Sequence, residues 1–342
     1  MKAVVFKTHG GPEVLQYAEA PDPTIKASEV LVEVKACALN HLDVWARGGL
    51  PGIDIPLPHI LGNDIAGVVR EVGELVSWVR TGDEVMLQPG VSCGHCFECL
   101  AGRDNLCRDY DMLGYRRDGG YAQLVAAPAV NVIPKPKNLS WEEAAALPLV
   151  TVTAWHMLVT RAAVQPGEDV LIHAAGSGVG SIGIQVAKLR GARVIATASS
   201  DEKLAKAKEL GADEVVNYTS DDWPKEVKRL TSRKGVEVVF EHTGAATWPG
   251  SIASLKSNGR LVTCGATSGF AATTDIRQIF YRHLTILGSF MGSKAELLEA
   301  MKFIESGKIR AVVDQTLPLA EARRAHELME DRAQFGKLVL VP

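Results

Sequence analysis

Alternation of apolar and polar positions organises the first third of the chain. Residues 30–36 (Val-Leu-Val-Glu-Val-Lys-Ala) alternate with the period of two that half-buries a strand. Residues 65–72 are apolar and β-branched, and 84–87 follow a Gly82-Asp83 turn. Gly10-Gly11-Pro12, Pro21-Asp22-Pro23, Gly48-Gly49 and Pro56-Leu57-Pro58 separate these segments, so the pattern predicts a mainly β lobe with few helices.

The period changes after Pro134-Lys135-Pro136. Ser140 and Glu143 form a capping box around Trp141-Glu142 and open an alanine-rich helix. A buried strand is then predicted over 169–174, a helix over 179–190 stopped by Gly191, and a strand over 193–197. A helix over 201–210 stopped by Gly211, a short strand at 214–216 and a helix near 223–230 follow. Further strands fall at 236–241, 260–264 and 284–289. Such alternation predicts βαβ units and a doubly wound parallel sheet. The tail predicts helices at 294–306 and 319–332 and a last strand at 337–341, and the chain has no internal repeat.

The 342 residues make about two domains at roughly 150 residues each. With 46% hydrophobic and 23% charged residues the chain is neither disordered nor fibrous. A formal charge of −3 without a long basic run leaves no electrostatic footprint for nucleic acid or membrane. The opening Met1 to Phe6 turns polar at Lys7, unlike a secretory signal, and no window reaches the ~18 apolar residues of a membrane span. A cytoplasmic protein is expected.

Two local motifs carry chemistry. Between the strand ending near Ala174 and the next helix lies Ala175-Gly176-Ser177-Gly178-Val179-Gly180. Absent side chains let this backbone approach a pyrophosphate, free amides at the helix start face the anion, and Gly180 permits close helix–sheet packing. The literal GxGxxG match, Gly178, Gly180 and Gly183, begins too late for that strand. The second strand ends without the carboxylate that would bind a ribose 2′-hydroxyl. Ser199, Ser200 and Lys203 could instead donate to a 2′-phosphate, and Asp201 reads as a helix-start residue, which favours NADP(H) over NAD(H).

The second motif is Cys93-x2-Cys96-x2-Cys99-x7-Cys107. Four thiolates in one loop suit a closed tetrahedral zinc that holds the loop and has no open position for substrate, a reading favoured over the iron–sulfur ligation that the cysteine count alone would also allow. A disulfide framework suits a secreted chain better. His95 reads as a bystander, and Cys37 and Cys264 as small buried apolar residues.

These features, with Met1-Lys2-Ala3-Val4-Val5, Gly10-Gly11-Pro12-Glu13-Val14-Leu15 and Gly336-Lys337-Leu338-Val339-Leu340, resemble the medium-chain dehydrogenase/reductase superfamily over essentially the whole chain. The resemblance implies a GroES-like, mainly β catalytic domain from 1–150 and 293–342, with a Rossmann-type cofactor domain, 151–292, inserted between. It further implies that Thr153 lies against the nicotinamide, that Gly265, Ala266, Thr267, Ser289, Phe290 and Met291 line its pocket, and that Tyr218 and Lys337 hold the adenosine and phosphate end. A small-molecule carbonyl or quinone substrate and a homodimer or homotetramer built on the strand near 284–289 are also implied.

The zinc alcohol dehydrogenase branch holds a catalytic zinc with a cysteine, a Gly-His-Glu histidine and a second cysteine. The matching positions here are Asn40, Asn63 in Gly62-Asn63-Asp64, and Leu149, and Leu42 follows His41 where that branch has a proton-relay hydroxyl. Asn40 and Asp64 cannot replace those ligands, since asparagine is a poor zinc ligand and a single carboxylate does not retain the ion. The site thus resembles quinone oxidoreductases, which work without catalytic metal. The expected function is NADP(H)-dependent reduction of quinones, enones or other carbonyls by direct hydride transfer, with one structural zinc. Asn40 is expected to contact the substrate, Asp43 to orient it, and His41 to donate a proton or reach the pyrophosphate. The alternatives are an alcohol dehydrogenase with an altered metal site near His59 and Asp64, and a non-enzymatic NADPH sensor.

Overall fold

The computed structural model describes residues 1–50 and 52–342, which divide into two compact units. One comprises Met1–Leu149, Ser293–Glu305 and Arg310–Pro342, and the other Val150–Gly292 with Ser306–Ile309. The boundaries differ from the sequence partition at residue 150 and at 306–309, a short turn after the helix Lys294–Glu305.

The first unit is built on the long strand Glu29–Ala38. Its alternation holds from Val30 to Ala36 and then gives way to continuous burial at Cys37 and Ala38, where the strand enters the core. It pairs antiparallel with Asp64–Val72, with Leu124–Pro128 and with the C-terminal strand Lys337–Val341. The register sets Asp64 opposite Ala38 and Val339 opposite the same residue. Two distant segments therefore reach the same end of the central strand.

The alternation does not reveal the helix His41–Gly48 that follows. Asn40 leaves the strand in extended conformation and acts as its N-cap residue, while the Asp43 carboxylate turns back to the Asn40 N–H at 2.7 Å. The capping box at Ser140 forms as the sequence predicts, with Glu143 N–H on Ser140 Oγ at 3.2 Å and Ser140 N–H on Glu143 Oε2 at 2.8 Å. Its helix is short, Trp141–Ala145, and a new helix starts at Pro148, a residue whose missing N–H costs nothing in a first turn.

In the second unit six parallel strands lie in the spatial order Glu214–Asn217, Arg193–Ala198, Asp169–Ile172, Val236–Glu241, Leu255–Thr263 and Thr285–Gly288. This is the doubly wound 3-2-1-4-5-6 arrangement. Val170, Leu171 and Ile172 are fully buried, as a strand covered on both faces requires. That strand stops two residues before the predicted end because Ala174 takes a left-handed φ of 45°.

Candidate functional site

The four cysteines converge as their spacing suggests. Their Sγ atoms all lie within 4.8 Å of one another, with Cys93 to Cys99 at 3.9 Å and Cys96 to Cys99 at 3.5 Å. Zn–S bonds of about 2.3 Å in a tetrahedron place sulfurs about 3.8 Å apart, so the set fits zinc. The backbone N–H groups of His95 and Cys96 pull the Cys93 thiol down to about 6, toward the thiolate a metal needs. The imidazole of His95 turns to the Cys93 carbonyl oxygen at 2.8 Å and leaves the sulfurs alone. Among the described residues no other group of three or more His, Cys, Asp or Glu is placed to hold a metal.

At the end of the central strand the positions that would carry a catalytic zinc hold something different. Asp64 is fully buried, and both its oxygens are engaged: Oδ1 by Leu149 N–H at 2.7 Å, Oδ2 by Asn40 Nδ2 at 2.8 Å and by Lys337 Nζ at 3.0 Å. Lys337 also donates to Asn40 Oδ1 at 2.5 Å. Asn63 donates to Leu113 O at 2.6 Å, and its own Oδ1 is buried without a partner. No thiolate or imidazole enters this set, so a catalytic zinc does not fit. The His59–Asp64 alternative does not assemble either, because His59 turns its Nδ1 toward Asp118 at 3.4 Å while Asp64 is saturated by other donors.

Lys337, expected at the adenosine and phosphate end, is buried against Asn40 and Asp64. Strand register puts it beside Asn40, and the buried Asp64 carboxylate attracts its ammonium.

A second buried chain runs behind Asp43. Asp43 is fully buried and accepts from Asn40 N–H, from Gly62 N–H at 3.1 Å and from Tyr121 OH at 3.3 Å. Gly62 itself is obligatory: at φ 103° a Cβ would come within 2.6 Å of Tyr121 Cδ1. Tyr121 OH meets His326 Nε2 at 3.2 Å, His326 Nδ1 meets Arg47 Nη1 at 2.9 Å, and Arg47 Nη2 pairs with Glu330. Burial, with the Arg47 charge, pushes His326 down to about 3, so the ring is neutral. Arginine only donates, which makes Nδ1 the acceptor and leaves the proton on Nε2. From Arg47 through His326 and Tyr121 each hydrogen bond then points toward Asp43. His41 opens the same helix with its ring edge-on to Trp45 at 5.3 Å.

Burial lifts the Asp43 carboxyl to about 7 against these donors, from 3.8. The sign of the linkage follows. Between about pH 4 and about pH 7 the unfolded chain ionises this group while the fold keeps it protonated, so stability falls through that window and levels off above it. Urea unfolding at about pH 4.5 and about pH 7.5 should show the native chain losing up to about 4 kcal/mol more than Asp43→Asn. Parallel pH dependence in the two chains would contradict a raised Asp43.

In the second unit the glycine turn has the form the sequence predicts. Ser177 caps the helix Gly178–Leu189 by accepting from Gly180 N–H at 2.8 Å, and a Cβ on Gly180 would meet Ala174 O at 2.4 Å. Helix and strand are thus as close as only glycine allows, and the first amides of the helix remain available to an anion. Ser200 Oγ caps the next helix through Lys203 N–H at 3.3 Å, the Ser199 carbonyl is bound by Thr219, and Asp201 is the helix-start residue expected, held by Asn217 Nδ2 at 3.1 Å. Tyr218 is part-exposed just beyond. Thr153 and Met291 come together, Oγ1 to Sδ at 4.0 Å, and Ser289 Oγ is buried without a partner, as a polar ligand there would use it. Gly265 packs against the His242 carbonyl, Thr267 Oγ1 lies 3.5 Å from Thr243 O, and Phe290 is exposed.

Sequence reasoning misses the network beneath that turn. Glu241 is fully buried and accepts from Thr243 N–H at 2.7 Å, Gly244 N–H at 3.1 Å, Thr247 Oγ1 and Ser251 Oγ at 2.6 Å. His173, which burial pushes down to about 4, reaches Ser251 Oγ at 3.0 Å and Thr197 Oγ1 at 3.2 Å. A carboxylate that ends a strand and gathers the next loop's amides has no local signal, since its partners lie two to ten residues on among ordinary loop residues.

Comparison with known proteins agrees with this architecture. Residues 26–137 match the family model of the alcohol dehydrogenase GroES-like domain and 178–306 that of the zinc-binding dehydrogenase. The alcohol dehydrogenase of Geobacillus stearothermophilus is 36% identical over 99% of each chain, and the quinone oxidoreductase of Salmonella typhimurium 33% identical over 99% of each. A crystal structure described as an NAD-dependent alcohol dehydrogenase is 54% identical, covers 100% of both chains and superposes with a TM-score of 0.97. The chain belongs to the medium-chain dehydrogenase/reductase superfamily, in its zinc-type alcohol dehydrogenase and quinone oxidoreductase branch, and is an NAD(P)-dependent oxidoreductase. Among the described residues no helix is long and apolar enough to cross a membrane.

Proposed function

We propose that this enzyme reduces quinones, enones or related activated carbonyls with NADPH, by direct hydride transfer and without a catalytic metal, and that its one zinc is structural. The observation that carries this reading is the Asn40–Asp64–Lys337 cluster, which fills the place of a ligand set with an amide, a carboxylate and an ammonium. The reduced nicotinamide supplies the hydride when bound. The chain's own residues provide the rest. The amides of Gly178 and Val179 hold the pyrophosphate, Thr153, Ser289 and Met291 contact the nicotinamide, Ser199, Ser200 and Lys203 receive the ribose 2′-phosphate, and Asn40, fixed through Asp43, touches the substrate oxygen. Without a Lewis acid the acceptor must delocalise the incoming charge, as quinones and enones do. The edge strand Thr285–Gly288, flanked by the exposed Phe280 and Tyr281, is the surface through which two copies would pair.

Metal analysis together with a substrate panel tests this. About one zinc per chain is expected, with oxidation of NADPH faster than NADH in the presence of 1,4-naphthoquinone or 2-cyclohexen-1-one. Turnover should survive mild chelation. Two zincs per chain, with alcohol oxidation abolished by the same treatment, would overturn the reading.

A further inference from the structure

The second unit carries a cationic cavity at the edge of its sheet remote from the glycine turn. That turn follows the carboxyl end of a strand, where doubly wound sheets bind their cofactors. The cavity lies instead where the strands Val236–Glu241 and Leu255–Thr263 begin, between the end of the helix Trp223–Leu230 and Arg282. The length of a six-residue strand, about 17–20 Å, separates the two edges. All the walls belong to this unit.

The cavity holds about 370 Å³, at the lower end of the range of roughly 300–1,000 Å³ for small-molecule sites. Its walls carry Lys228, Arg233, Lys234, Lys256 and Arg282, and no carboxylate among the described residues. Neighbouring basic side chains are paired: Lys188 with Asp213, Arg193 with Asp169 and Glu214, Arg229 with Glu226. Of the five in the cavity only Lys256 has an acid partner among the described residues, Glu237 at 2.5 Å. Helix ends do not absorb the surplus. The carboxyl ends of Trp223–Leu230 and Trp248–Ser254 come to this cavity, each equivalent to about half a negative charge, so together they offset about one of four unpaired cations.

Arg282 is held ready. Its half-buried guanidinium donates to the carbonyls of Ile252, at 3.1 Å, and Leu255, and to Gln278 Oε1 at 3.3 Å. These bonds fix its plane and leave N–H groups of the fork without a partner among the described residues. Burial pushes its pKa down, and no carboxylate offsets the cost. The backbone that presents these side chains is strained. Ser232 and Arg233 are consecutive left-handed residues, at φ 51° and 65°, while Asn258 at 62° and His283 at 51° adjoin Ser257 and Arg282. Asn258 N–H binds Arg282 O at 2.7 Å and joins the last two turns. Side chains disfavour this backbone region, and such residues gather where a site demands a fixed geometry.

We propose that this cavity binds the phosphate chain of a small polyanion carrying two or more phosphate groups, at a site separate from the cofactor turn. Such a chain supplies the negative charges that the four cations lack, and Arg233 and Arg282 offer the forked donors that phosphate oxygens accept. Among the described residues no aromatic side chain lines the cavity for a base to stack on, so recognition rests on the phosphates. The assignment does not depend on the metal-free reading of the active site.

Calorimetric titration of the native chain with sodium triphosphate, ATP and inorganic phosphate tests it, at saturating NADPH and again at saturating NADH so that the glycine turn is filled. Triphosphate should bind at one per chain, with ATP within about threefold of it and inorganic phosphate at least about tenfold weaker. Raising the salt from about 0.1 M to about 1 M should weaken binding severalfold. Lys228→Gln/Lys234→Gln removes two exposed cations that have no acid partner, and should weaken triphosphate at least about tenfold with Tm and cofactor affinity unchanged. Arg282→Gln should weaken it as well; if that variant unfolds because two carbonyls lose their donor, the lysine pair decides. No binding at about 1 mM triphosphate, binding that disappears when cofactor fills the turn, or unchanged affinity in the lysine variant would overturn the proposal. ATP binding more than about tenfold tighter than triphosphate would assign the site to a nucleoside, and tighter binding of a duplex oligonucleotide would assign it to nucleic acid, each overturning it.

Discussion

A Gly180→Val chain is expected to fold and to bind its nicotinamide cofactor more than about a hundredfold more weakly than the native enzyme. The first methyl-sized atom would sit 2.4 Å from Ala174 O and 2.9 Å from Ser177 Oγ, inside van der Waals contact on both sides. The helix Gly178–Leu189 must then move away from its strand, the Ser177 cap on Gly180 N–H is lost, and the amides aimed at the pyrophosphate lose their alignment. About 3 kcal/mol of lost cofactor contact corresponds to that hundredfold. Fluorescence titration with NADPH and with NADH measures it, and circular dichroism verifies the fold. An affinity within threefold of the native value would mean that the pyrophosphate is bound elsewhere.

The second large effect concerns the zinc loop. Cys107→Ser should lower the zinc content to near zero, reduce Tm by about 10 °C or more and open the loop to proteolysis. The reason is that this lobe has little core of its own. Phe97, Leu100 and Leu106 are all exposed, and the sheet beneath is the short pair Gly90–Val91 with Asp111–Met112. One of its ties elsewhere in the same unit is the Asp104 carboxylate on Lys294 N–H at 2.9 Å. A closed four-thiolate metal therefore supplies the order that burial does not. Fragments cut within 93–107 should appear under limited trypsin digestion of the variant and not of the native chain. Residual turnover per folded molecule should persist, since a metal without an open position takes no part in hydride transfer. Full zinc content and an unchanged Tm in the serine variant would show that the cluster does not carry the loop.

How far such features were legible depended on the range of the interactions behind them. Spacing alone placed the four cysteines, because all four lie on one short loop whose only way to satisfy that many thiolates is to gather them. The capping box at Ser140, the Gly180 contact and the parallel strands were equally legible, being consequences of period and of turn chemistry within a few residues. The helix His41–Gly48 was less so, although Asn40 and Asp43 at the right interval were its signal. The partners of Lys337 were not legible, because Asn40 and Asp64 lie 297 and 273 residues away.

The amino-acid sequence by itself determined the two-part architecture, the zinc loop, the cofactor turn and the loss of every strong ligand for a catalytic metal, since each is written in residue type and short spacing. What surrounds those positions was decided only by tertiary structure. The register of the last strand against the first long one brings an ammonium to Asn40 and Asp64, and the directed chain from Arg47 through His326 and Tyr121 ends on Asp43. The physical reason is that a buried charge takes its partner from whatever the fold sets beside it, and strand pairing rather than sequence neighbourhood makes that choice.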